Sequence, residues 1–141
     1  MKTIERLRDK ILERTWGQEI IICETPFYLG KKLIYEKDKG GGLQYHTEKD
    51  ETFHLAEGTG CMDIDDGEGN LIRTTMNPGD TVRIPPGAPH RFIASIRCVG
   101  YEWSTPHYDD RVRCEEQYGV EVHGDEYGLQ TTTDPRPEPN E

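Results

Sequence analysis

The sequence has little that would take it into a membrane or onto a nucleic acid. No apolar run approaches the ~20 residues needed to span a bilayer. The first ten residues, MKTIERLRDK, are charged where a secretory leader needs an apolar stretch, so a cytoplasmic protein is expected. Positive charge is scarce as well. The 141 residues carry 17 Lys and Arg against 27 Asp and Glu, a net charge of -10 that repels phosphate backbones and anionic lipid, so neither nucleic acid nor membrane is an expected partner. The four cysteines, Cys23, Cys61, Cys98 and Cys114, form no C-x-x-C pair, which removes the usual pattern of a structural zinc site or redox motif and leaves buried free thiols as the expectation. Only 33% of residues are hydrophobic. One core is what so short and polar a chain can fill, and a closed sheet that turns one face inward uses apolar residues sparingly.

What is present is a succession of short apolar or alternating runs. They occupy 19–23, 27–36, 42–46, 51–58, 61–65, 71–76, 81–85, 90–95 and 97–104, nine candidate strands whose spacing predicts an all-β sandwich or barrel. Asp66-Gly67-Glu68-Gly69-Asn70 reads as a hairpin loop and Asn77-Pro78-Gly79-Asp80 as a β-turn. Before them Ile4, Leu7, Ile11 and Leu12 recur at helical spacing, which predicts a short amphipathic helix within residues 1–15, laid against a barrel of residues 16–128. Residues 129–141 include TTTDPRPEPNE, with three prolines and no large apolar side chain, and are expected to be a disordered tail.

Alternation along GLQYH sends Gln44 and His46 to one face and Tyr45 to the other. After the corner TEKD, Glu51 opens the next strand, with Phe53 and Leu55 following it inward as a dry floor. Further on, Gly79 begins a turn and strand that end in the rigid corner Pro85-Pro86-Gly87, which would aim His90 back inside. Two imidazoles, a carboxylate and an amide oxygen form a mixed nitrogen and oxygen set suited to one divalent ion, with positions left open for water or substrate. Zinc is the expected ion, with manganese, iron or nickel as alternatives. His54, His107 and His123 lack such company and are expected to be exposed or hydrogen-bonded in ordinary ways.

These segments resemble the two cupin motifs. Gly79, Pro85, Gly87 and His90 match G-x5-P-x-G-x2-H, although the Asn that often trails it is Ala94 here. Gln44-x-His46-x4-Glu51-x6-Gly58 matches the first motif with glutamine in place of its first histidine. The Q-x-H-x4-E stretch, Arg14-Thr-Trp16-Gly17 and Arg113-Cys-Glu115-Glu-Gln-Tyr118-Gly119 are similar to segments of the cupin-type (type II) mannose-6-phosphate isomerase domain.

The resemblance implies a cupin jelly roll, a double-stranded β-helix barrel, here with the short N-terminal helix in front. It also implies an aldose–ketose isomerase acting on a sugar or sugar phosphate through a metal and a proton-carrying base. Glu48 and Lys49, in the corner after His46, are the candidate base and its electrostatic partner, although the family has His and Arg there. Arg83, Arg91 and Arg113 are the candidate phosphate anchors. Two alternatives remain open: metal-dependent oxygen chemistry, and a sugar-binding or regulatory module without catalysis. A homodimer is expected, because small jelly rolls leave sheet edges and apolar outer faces.

Overall fold

A computed structural model describes residues 3–120. All nine expected strands are present, and two more join them. In chain order they are β1 (Lys10–Arg14), β2 (Gly17–Glu24), β3 (Leu29–Tyr35), β4 (Gln44–His46), β5 (Glu51–Glu57) and β6 (Gly60–Asp65). There follow β7 (Leu71–Met76), β8 (Thr81–Ile84), β9 (His90–Ala94), β10 (Cys98–Ser104), β11 (Arg111–Arg113) and a four-residue helix α1 (Glu115–Tyr118). They form two antiparallel sheets of order β1-β2-β3-β10-β5-β8 and β11-β4-β9-β6-β7. This is the expected jelly roll, its sheets facing each other across one core. Among the described residues no helix is long and apolar enough to cross a membrane.

The N-terminal helix is not formed. Residues 3–9 have no regular secondary structure, and Lys10–Arg14 is a strand paired with β2 from Lys10↔Ile21 to Arg14↔Gly17. The periodicity misled because the stripe buries little: Ile4, Leu7 and Ile11 are all exposed. Without a buried face a short helix has little to hold it, whereas the edge of β2 offers a complete hydrogen-bond ladder. Gly17 makes the hairpin possible. Its φ is +146°, and a Cβ there would stand 1.9 Å from the carbonyl oxygen of Ile34. The expected tail, residues 129–141, lies outside the described residues, as do 121–128 of the expected domain.

Alternation fills the space between the sheets. Leu33 and Tyr35 of β3, Phe53 and Leu55 of β5, Met62 of β6, Ile84 of β8 and Phe92 of β9 form the core, with Met76 and Cys98. The four cysteines are free thiols. Phe53 and Leu55 are the apolar floor the sequence indicates, and the polar cluster lies on the same inner face of β5.

Candidate metal centre

Three strand ends meet above that floor. His46 closes β4, Glu51 opens β5 and His90 opens β9, and one donor atom from each lies within 4.8 Å of the others. The register explains the meeting, since Gln44 of β4 pairs with His90 of β9. The Pro-Pro-Gly corner reinforces it: Gly87, at φ +84°, donates its amide to the carbonyl of His46 at 2.7 Å. Oε1 of Glu51 is 2.8 Å from Nε2 of His90, and Oε2 is 3.7 Å from Nε2 of His46.

The far nitrogens of both rings are held elsewhere. Nδ1 of His90 is 2.9 Å from the carbonyl oxygen of Ala88, which can only accept, so that nitrogen carries the proton. Nδ1 of His46 is 3.1 Å from Oδ1 of Asp110. Both arrangements leave Nε2 turned toward Glu51, the way metal-ligating imidazoles are oriented by their outer partners. Asp110 also accepts the amides of Glu48 and Lys49 through Oδ2, at 2.8 and 2.7 Å, so one carboxylate shapes the corner and orients the histidine.

Electrostatics set the protonation of the cluster. Burial would raise the Glu51 carboxyl, but the Lys49 charge and the His90 hydrogen bond outweigh it and hold the group well below the usual carboxylate range. Burial lowers the His46 imidazole. It would lower His90 too, but the hydrogen bond and charge of Glu51 raise that ring instead. Oε2 of Glu51 is buried and takes no hydrogen bond. Nζ of Lys49 stands 3.3 Å from it, an ion-pair distance outside hydrogen-bond geometry. A buried carboxylate with one unfilled acceptor oxygen, set between two imidazole nitrogens, fits a divalent cation.

The other sequence candidates divide. Gln44 lines the same cavities as the cluster, and its side chain makes no hydrogen bond with a described residue, so its amide is open to the interior. Lys49 is buried between Glu102, at 2.8 Å, and Glu51. Burial alone would lower its pKa, and the charges of Glu102 and Glu51 raise it instead, so it stays cationic. Glu48 is not brought to the interior. Its side chain is 68% exposed and reaches toward His107 at 4.0 Å, because Asp110 holds the corner's backbone and turns Glu48 out. Arg83 is also outside, exposed on β8 and paired with Asp50. Arg91 is buried beside the cavity and bonded to Asp63 at 2.8 Å, and Arg113 at the cavity wall pairs with Glu115. His54 bonds the Thr81 hydroxyl on the outer side, and His107 bonds Thr105; His123 lies outside the described residues.

Sequence reasoning passed over Asp110, Lys31, Glu19, Tyr35 and Glu102. Lys31 and Glu102 face each other across β3 and β10. A charged residue at an inward position of an otherwise apolar strand was the available signal, as with Lys31 between Leu29 and Leu33.

Residues 32–95 match the family model described as Cupin domain. These residues form a cupin domain. Relatives of this cupin include acireductone dioxygenase of Rattus norvegicus, 33% identical over 128 residues that cover 78% of this chain and 66% of that protein. The acireductone dioxygenase of Yarrowia lipolytica is 31% identical over 84 residues, covering 59% and 49%. The cupin thus spans less than two thirds of either relative. Among solved structures it is similar in fold to the capsular polysaccharide assembling protein CapF of Staphylococcus aureus, with TM-score 0.67 and 18% identity over 75% of this chain and 32% of that one. An RmlC-like cupin from Shewanella frigidimarina gives TM-score 0.62 and 15% identity, covering 71% and 86%. The resemblance to type II mannose-6-phosphate isomerase gains no support from these relatives, whose curated names are those of a dioxygenase.

Proposed function

We propose that this cupin is a metal-dependent dioxygenase acting on a small oxygen-rich substrate, of the kind its acireductone dioxygenase relatives are named for. One observation carries the reading: two imidazoles and one carboxylate, buried together, with each ring's other nitrogen tethered away from the cluster. Two histidines and a carboxylate with open positions are the donor set of non-haem iron oxygenases, and the same set accepts nickel. Iron or nickel therefore replaces zinc as the expected ion.

His46, Glu51 and His90 would hold the ion, with Gln44 beside them. When bound, such an ion supplies a Lewis-acid and redox centre with open positions for substrate and oxygen. The remaining tasks fall to the protein. Asp110 fixes the His46 ring, the Ala88 carbonyl fixes His90, and Lys49 balances the charge of Glu51 and Glu102. Phe53, Ile84 and Phe92 close the inner end of the cavity to water. The isomerase reading named Glu48 as its candidate base, and that side chain is largely exposed.

The test is anaerobic loading with Fe2+ or Ni2+, followed by oxygen uptake on acireductone. Uptake above that of the free ion is expected, and it should disappear in Glu51→Gln. Protein that binds the ion and still consumes no more oxygen than the ion alone excludes the reading.

A further inference from the structure

The inner face of the barrel holds a polar group that the metal cluster does not use. Tyr35 is the last residue of β3, directed inward like Leu33. Its ring is fixed on both sides, stacked on Trp16 at 4.5 Å between centroids and tilted against Phe92 at 5.0 Å. The residue is only 7% exposed, and its hydroxyl, which makes no hydrogen bond with any described residue, opens on the interior cavities.

The position of Tyr35 supplies a reason. Two cavities lie between the sheets, one reaching His46 and Lys49, the other Glu51 and His90. Tyr35 lines both, as do Gln44 and Glu102. Glu102 uses Oε2 to bind Lys49, so the wall presents a phenol, an amide and a carboxylate beside the candidate ligands.

We propose that Tyr35 is a substrate-binding residue that donates its hydroxyl proton to a ligand oxygen, and that the cavity selects a small molecule bearing hydroxyl and carbonyl oxygens on adjacent carbons. Such a molecule offers an acceptor to the phenol and hydroxyl donors to Glu102 and the Gln44 oxygen, while an apolar molecule would leave all three unsatisfied. The phenol remains a donor at any ordinary pH: burial raises its pKa, and the neighbouring charges of Glu102, Glu19 and Glu51 raise it further.

The inference rests on the dioxygenase reading for the metal and stands on the Tyr35 environment for recognition. Its test needs no turnover. Protein loaded with Zn2+, a redox-inert stand-in, is titrated calorimetrically with dihydroxyacetone, glycerate and ascorbate, and with hexanoate and benzoate as apolar counterparts. The oxygen-rich probes should bind and the apolar ones should not. Tyr35→Phe keeps the ring and should bind the same probes about tenfold more weakly, the loss of one hydrogen bond. Zinc stoichiometry and melting temperature should match those of the wild type, which separates lost recognition from a lost site. Equal affinity of Tyr35→Phe and wild type for the probes overturns the proposal, as does preference for the apolar acids or wild-type protein that binds none of the panel. A dioxygenase assay that fails while these binding results hold removes the catalytic reading and leaves the recognition site in place.

Discussion

Asp110 joins two parts of the centre: Oδ1 meets Nδ1 of His46 at 3.1 Å, while Oδ2 accepts the amides of Glu48 and Lys49. Burial would raise its carboxyl, but the two backbone hydrogen bonds and the His46 ring hold it below the usual value, so it is ionised where the centre works. Asp110→Ala should therefore weaken the ion's binding about 10- to 100-fold, the usual cost of losing an outer partner of a ligating histidine. Competition with a chromophoric chelator measures this. Unchanged affinity would remove Asp110 from the centre.

Replacing a ligand should do more. His46→Ala, His90→Ala and Glu51→Gln should each bring bound metal from about one ion per chain to near none, and cancel the rise in melting temperature that added ion gives the wild type. Elemental analysis and thermal scans read the two effects. His54→Ala, on the outer side of β5, should behave as wild type.

The ligands could be read from the sequence because the motifs bind residue type to turn geometry. A two-residue period fixes which side chains share a face, and Pro-Pro-Gly fixes the direction of the chain into His90. Glu48 shows where the rule stops: alternation holds within a strand, and TEKD is a corner whose backbone answers to Asp110, 62 residues away. β11 is a three-residue strand visible only through its pairing with β4, so Asp110 at its entrance had no local signal. β1 reversed the expectation of a helix because edge pairing, a tertiary effect, outweighed a stripe of apolar residues that stays in water.

Glu19 predicts how stability responds to acid. Burial would raise its carboxyl, but Lys31, at 2.6 Å, and Arg14, at 2.7 Å, overcome that and hold it far below the ordinary 4.5. A carboxyl lowered in the folded state binds protons less readily than in the unfolded chain. Its contribution is complete above the ordinary value and is lost as pH falls below it. Glu19→Gln should lower stability by about 3 kcal/mol at pH 7, since it takes a carboxylate away from the buried Lys31 ammonium, and should flatten the decline below pH 4.5. Urea titrations across pH give both. Parallel acid limbs in the variant and wild type would show that Glu19 is not the group responsible.

Lys49 and a bound ion serve one carboxylate, and this gives the last prediction. Nζ of Lys49 stands 3.3 Å from Oε2 of Glu51 and 2.8 Å from Glu102, with about 5% of the lysine side chain exposed. Two acidic groups are thus brought together in a poorly solvated place with one permanent cation between them. Lys49→Met keeps the length of the stem and removes the charge. Metal-free protein should then lose about 3–5 kcal/mol, because both carboxylates keep their burial and lose the ammonium between them. Metal-loaded protein should lose less, since the divalent ion at Glu51 takes over part of the compensation. The rise in melting temperature on adding the ion should therefore be larger in Lys49→Met than in the wild type. Arg83→Met is the control: Arg83 and Asp50 form an exposed pair worth at most about 1 kcal/mol, so neither form should change much. If the ion stabilises Lys49→Met no more than wild type, Lys49 and the ion do not act on the same carboxylate.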